Sequence, residues 1–391
     1  MSDVVLSWVL PDPNRERSVD PLGTAAFAEQ IADKLVPDFS TQTSRARYLS
    51  LLCAAVRRAD SAAKPLALIH HIEAKHAVLE ARLHRDEGPD ACRDVVGKQR
   101  ATAELIRLDW HRLTRPERLY KTTAFNTYRS LLRRLGFLVG RSQPKLSPAG
   151  DALARAYPLH GSAERRCLNE ITKPECSQLY GPLGLDGRAS LKPGSPQALR
   201  RATWEHLRSY STLNGRNILQ THARLSAREG DVGRLLHLAY AWETVSVGLL
   251  SGLSLLVRKN RLSLAAKELK TALNRRPVIP RFDESFEPED AADHTVALLR
   301  EAMKVQKTLL GRSCECHLKI ARLLVVDRDP RSFLRALVEQ HRLAKGGEAW
   351  FRLLGDRVDV LATGKNLNFP RSPRSYRLDA YSQFLRDLGK L

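Results

Sequence analysis

Carboxylates are scarce in this chain. Against 64 Lys and Arg residues the sequence sets only 43 Asp and Glu, which leaves a formal charge of +21 over 391 residues. An imbalance of that size exceeds what solubility requires and implies a polyanionic partner, nucleic acid before an anionic membrane. Catalytic signatures are missing too. There is no Walker loop, no Gly-x-Ser-x-Gly elbow, no dinucleotide-binding glycine fingerprint and no His-Glu-x-x-His. Nothing in the residues argues for an enzyme, and no cofactor or metal is expected. Six cysteines occur without paired short spacings, and no cationic and apolar leader opens the chain. Both point to a reduced, intracellular compartment, read as the cytoplasm. What is present is ordinary globular material, 43% hydrophobic and 27% charged, with length for about two to four domains.

The stretch from Tyr120 to Tyr157 carries the most information. Phe125, Tyr128, Leu132 and Leu135 recur at helical spacing, so one face of a short helix packs into a core while Asn126, Arg129 and Arg133 share another. Gly136 stands where a left-handed cap is wanted, Phe137 to Val139 is a short apolar strand, and Gly140 to Pro144 is a turn. Lys145 and Leu146 return, Ser147 is an N-cap with Pro148 at the first helical position, and Ala149 to Tyr157 forms another helix. Upstream, Ala101 to Leu113 is amphipathic, and Thr114-Arg115-Pro116-Glu117 is a capping box that starts the helix leading in.

This order of helix, Leu-Gly-Phe-Leu, turn, Leu-Ser-Pro-Ala-Gly and helix resembles the winged helix-turn-helix domains of bacterial DNA-binding regulators. The likeness covers about forty of the 391 residues. It implies that Asn126, Arg129, Ser130 and Arg133 face a DNA groove and that Arg141 and Lys145 lie on the wing. Side-chain chemistry agrees. Arg grips guanine O6/N7 and Asn the N6/N7 edge of adenine, while Lys121, Arg134 and the wing cations suit phosphate. Between Arg112 and Lys145 there are nine basic residues and one acidic residue, the sign of a nucleic-acid footprint. A winged helix also serves in places as a bridge between protein subunits, so the charge decides in favour of DNA.

Near the N-terminus, Val4 to Leu10 reads as a short strand or arm. Asp20-Pro21-Leu22-Gly23 opens a helix with Phe27, Ile31 and Leu35 on one stripe, broken by Pro37. The next helix buries Tyr48, Leu51, Leu52 and Ala55. Asp-Pro-Leu-Gly, a helix, and then Thr41-Gln42-Thr43-Ser44-Arg45-Ala46-Arg47-Tyr48 resembles the opening of uncharacterised bacterial proteins encoded among helicases and nucleases of anti-phage islands. Where those proteins carry a glycine after the proline, this chain has Asp38. The likeness implies a context rather than a reaction. Arg45 and Arg47 are candidates for phosphate contact, or equally for pairing with carboxylates of a neighbouring helix.

Other clusters carry less. His70, His71, Glu73 and His76 share one helix, but His71 and His76 are five residues apart and diverge around it, where a zinc pair wants three or four. Pro37-Asp38 with Glu73-Ala74-Lys75 has the residue types of a restriction-nuclease metal site, yet such sites sit on strands and this stretch is helical. Cys314-x-Cys316-His317, with Cys167 and Cys176, has poor spacing for a tetrahedral site. Asp231 to Arg258 is long enough to span a bilayer but is interrupted by His237 and Glu243. It reads as a buried central helix whose Gly248 and Gly252 let a neighbour approach. Arg276 to Asp290 is a proline-broken acidic linker. Helical periodicity resumes over Thr295 to Leu310, Cys316 to Val326 and Ser332 to Leu343. Trp350 to Leu354 and Arg357 to Leu361 then form a hairpin around Gly355-Asp356, a possible second wing. Arg371, Arg374 and Arg377 precede a tail helix, Leu378 to Leu388.

The sequence therefore predicts a mainly α, multi-helical protein with an embedded winged helix-turn-helix and a small C-terminal β-hairpin. The expected segments are 1–100, 101–160, 161–275, the linker 276–290, and 291–391. The expected function is a non-catalytic subunit of a bacterial multi-protein system, in an anti-phage context, that binds DNA, duplex favoured, beside a helicase or nuclease and without a membrane. A stand-alone transcriptional regulator and a divergent metal-dependent nuclease are the alternatives.

Overall fold

A computed structural model describes residues 20–87, 123–140, 143–157, 171–187, 190–209, 230–275, 316–317, 319–324, 327–345, 350–361 and 376–391. The expected arm at 4–10, the helix at 101–113, the capping box at 114–117, the linker at 276–290 and the helix at 295–310 lie outside them, as do Arg371 and Arg374. Within the described residues the protein is mainly helical, and its strands are confined to two antiparallel hairpins. The chain divides into two compact units. One comprises residues 32–222 and 375–391, the other 1–31 and 223–374. The first helix, α1 (Ala25–Leu35), carries the chain across the division.

The first unit is built around α2 (Arg47–Ala59), whose sequence RYLSLLCAAVRRA is apolar or small between its terminal arginines. A helix of that composition is stable only when surrounded. Leu49, Leu52, Cys53, Ala54 and Ala55 are fully buried, so the single stripe expected from periodicity is exceeded. Three helices pack on α2: α3 (Pro65–Glu87), α4 (Ala124–Arg134) and α5 (Pro148–Ala156). Each buried leucine contributes about 1.5–3 kcal/mol, and the small Cys53 and Ala residues let the neighbouring backbones come close. Next come α6 (Lys173–Leu183) and α7 (Pro196–Ser209). Arg200 of α7 is 1% exposed and donates to the Leu183 carbonyl at 3.2 Å and the Pro182 carbonyl at 3.0 Å, satisfying the C-terminal end of α6.

The other unit is organised by α8 (Gly230–Lys259), with α9 (Leu262–Arg275), α10 (Pro330–Ala344) and the hairpin β3 (Phe351–Leu354) and β4 (Arg357–Val360). Among the described residues only Leu238–Lys259 is long and apolar enough to cross a membrane, and it is mostly buried. Leu249 and Leu253 are 1% and 0% exposed. The close approach expected at its glycines occurs at Gly252, where a Cβ would meet the Phe333 ring of α10 at 2.6 Å. Gly248 has open space beside it.

Side chains of this unit fix the segment before α1 by its carbonyls. Trp242 Nε1 donates to Thr24 O at 3.0 Å, His317 Nε2 meets Leu22 O at 2.7 Å, and His341 Nδ1 meets Pro21 O at 2.7 Å. His341 Nε2 accepts from Trp350 N at 2.9 Å, so its ring is neutral with the proton on Nδ1, and it stacks on Phe351. Burial drives its pKa down to about 4. The hairpin has the expected two-residue turn, with Leu354 opposite Arg357 and Gly355 at φ 61°.

Candidate nucleic-acid interface

The stretch from Thr123 to Ala156 folds locally for legible reasons. Thr123 is the N-cap of α4, its Oγ1 accepting from Asn126 N at 3.2 Å. The first two helical amides go elsewhere. Glu73 of α3, 2% exposed, accepts from Ala124 N at 3.0 Å and Phe125 N at 2.8 Å. Burial pushes its carboxyl up to about 8 against the opposing pull of those two amides. At the other end Gly136 adopts φ 79°, and Phe137 N donates to Leu132 O at 2.9 Å, closing the helix.

Strand β1 (Leu138–Val139) then pairs with β2 (Lys145–Leu146), Leu138 opposite Leu146 and Val139 opposite Lys145. Ser147 caps α5 through Gly150 N at 3.0 Å, with Pro148 at the first helical position. Gly150 is obligatory here because a Cβ would sit 2.1 Å from the Phe137 carbonyl oxygen.

The two faces of α4 separate as expected. Phe125, Tyr128 and Leu132 are at most 1% exposed, while Asn126 and Ser130 are exposed. The arginines are more constrained than periodicity suggests. Arg129 is half-buried with its guanidinium 5.7 Å from the Phe125 ring centre, and Arg133 Nη2 donates to Gly140 O at 2.7 Å, tying the helix to the β1–β2 turn. Arg134 pairs with Asp38 at 2.9 Å while keeping 58% of its side chain exposed. Lys145 is exposed on β2. Lys121 and Arg141 lie outside the described residues.

Arg45 and Arg47 do not join this surface. They are 8% and 3% exposed, and the helix α11 (Leu378–Asp387) reaches the start of α2 at Arg45. Asp387 Oδ2 accepts from Arg45 Nε at 2.8 Å and from Ala46 N at 3.0 Å. Of the two roles open to Arg45, pairing with a carboxylate of another helix is the one it takes. Phosphate contact by this pair is corrected on the ground of burial. Beside them His76 is buried, and burial followed by the Arg47 and Arg45 charges holds its pKa well below the usual value.

Sequence reasoning missed two positioning carboxylates. Glu73 anchors the start of α4, and Asp38, at φ 72°, holds both Arg134 and the buried Arg200, the latter at 2.8 Å. Asp38 thus occupies the left-handed region that glycine favours. These two carboxylates are engaged with amides and guanidinium groups. Among the described residues no group of three His, Cys, Asp or Glu side chains could hold an ion. Cys314 and Cys167 fall outside those residues, and His317 is buried against the Leu22 carbonyl.

No family model, curated protein or solved structure matches the chain. The functional reading therefore rests on the chemistry of this surface. Residues 118–150 contain no Asp or Glu at all, and the side chains they leave exposed on α4 and β2 are hydrogen-bonding or cationic.

Proposed function

We propose that residues 115–157 form a winged helix-turn-helix and that the protein is a non-catalytic DNA-binding subunit which sets α4 into a groove of duplex DNA. One observation carries this reading: α4 buries Phe125, Tyr128 and Leu132 while exposing Asn126, Ser130 and Arg134 within a 33-residue stretch free of carboxylates. Asn126 has the donor and acceptor pair that reads adenine, and Ser130 hydrogen-bonds a base edge or phosphate. Arg134 and Lys145 supply phosphate contacts at either side of the helix. Arg133 contributes by holding the β1–β2 turn through Gly140 O, so that the hairpin and helix present one rigid surface.

The N-terminal resemblance, together with more helical mass than a repressor requires, supports action as one subunit beside a helicase or nuclease in an anti-phage system. Two measurements test the proposal. Fluorescence anisotropy of a labelled duplex should show binding that weakens steeply with salt. Affinity purification of the tagged chain from its native host should recover products of adjacent genes. A chain that ignores duplex DNA at low salt would overturn the first part, and one that purifies alone would overturn the second.

A further inference from the structure

The hairpin β3–β4 obeys the two-residue alternation of a half-buried ribbon. Phe351 and Val358 point inward, 0% and 1% exposed, and the cross-strand pairs Arg352–Asp359 and Leu354–Arg357 share the outward face. Leu354 breaks the pattern. It is an apolar residue at an outward position, 50% exposed, directly before the turn.

The tip is held firmly. Leu262 N donates to Asp356 O at 2.7 Å, Val358 N to Asn260 O at 3.1 Å, and Ser263 binds both Asp356 carboxylate oxygens, at 2.8 Å through its amide and 2.6 Å through its hydroxyl. Arg261 pairs with Arg357 as an isolated bridge, so α9 starts at the tip and brings Leu264, 48% exposed, on its first turn. The Asp356 carboxyl is held below the usual range first by its hydrogen bonds from Ser263, with the nearby arginine charges adding to them. Three exposed guanidinium groups, those of Arg261, Arg352 and Arg357, thus stand against two carboxylates: Asp356 is taken up by Ser263, and Asp359 is shared by Arg352 at 3.7 Å and Arg357 at 3.0 Å.

From this rigid, arginine-rimmed tip with a leucine beside its turn we infer that the β3–β4 hairpin is a second DNA-contacting element, inserting Leu354 against the bases of a groove while Arg261 and Arg357 hold flanking phosphates. A two-stranded ribbon matches a groove in width, and an apolar side chain between base steps is a known way to unstack and bend a duplex. An anionic membrane would call for a broad apolar face, whereas the exposed apolar side chains at this tip are two, Leu354 and Leu264, set among arginines. The inference rests on the reading of the chain as a DNA-binding protein, but on different residues from those of α4.

The test uses the full chain with a labelled random-sequence duplex across a range of KCl, and with a duplex carrying 2-aminopurine to report unstacking. Arg261→Gln/Arg357→Gln should flatten the slope of log affinity against log salt by about two units, since each phosphate contact contributes about 0.9. The corresponding lysine variant should restore the slope, showing that charge and not folding was lost. Leu354→Ser should leave the slope intact and abolish the 2-aminopurine signal. Unchanged slope and unchanged signal would overturn the inference, as would loss of binding to phosphatidylserine vesicles with duplex binding intact. Arg134→Gln/Lys145→Gln on α4 is the separate arm: if it alone weakens binding, the hairpin inference fails and the α4 reading stands. The converse result sustains the hairpin and removes α4.

Discussion

Replacing Glu73 with alanine strips the start of α4 of the acceptor for its first two amides. Ala124 and Phe125 are 1% and 0% exposed, so neither amide regains water when the carboxyl goes. A buried donor left without a partner costs about 1–3 kcal/mol. With two such donors, partly offset by no longer burying a carboxyl, the expected loss is about 3 kcal/mol in a urea-unfolding experiment. Glu73→Gln keeps one acceptor and should cost about half of that. The pH dependence separates the two further. Because burial raises the native pKa to about 8 from an ordinary 4.5, the folded protein holds a proton that the unfolded chain has shed, and stability falls as pH rises through that window by up to about 1.4 kcal/mol per unit. The glutamine variant lacks that slope. An alanine variant within 0.5 kcal/mol of wild type, or identical slopes for wild type and Glu73→Gln between pH 5 and 8, would refute the reasoning.

Other perturbations follow from the same packing. His341, neutral between the Pro21 carbonyl and the Trp350 amide, has its pKa lowered to about 4 from 6.5. Its contribution of about 3 kcal/mol is therefore present above pH 6.5 and lost as pH falls toward 4, and His341→Phe should flatten the acid limb of the stability profile. Gly252→Ala drives a Cβ into Phe333 and should cost about 1–3 kcal/mol by chemical denaturation. Arg200→Met leaves the Leu183 and Pro182 carbonyls and one Asp38 oxygen without their donor, and a loss of about 3–5 kcal/mol is expected from the same assay.

Much of the local structure was legible because its causes are local. The apolar spacing of Phe125, Tyr128 and Leu132 determines which face of α4 is buried, Ser147-Pro148 marks the start of α5, and Gly355-Asp356 sets the hairpin register. The unbroken apolar run around Leu249 and Leu253 likewise signals a central helix.

What escaped was tertiary. Arg45 meets Asp387 across 342 positions, and Glu73 reaches Phe125 across 52. No periodicity encodes such pairs. Arg129 and Arg133 share the helical periodicity of Asn126 but not its exposure, since one lies near the Phe125 ring and the other holds a turn carbonyl. The division of the chain into two discontinuous units has no local signature either, since it depends on where residues 375–391 return.

The central claim is that the exposed face of α4 contacts DNA, and salt-dependent anisotropy of the folded Arg134→Gln/Lys145→Gln and Asn126→Ala variants tests it most directly. Loss of the cationic pair should flatten the salt slope by about two units on every duplex, while Asn126→Ala should leave the slope unchanged and cost about 1–3 kcal/mol at a preferred site selected from a random pool. Wild-type affinity and slope in both folded variants would contradict it and make this face a surface for docking another protein.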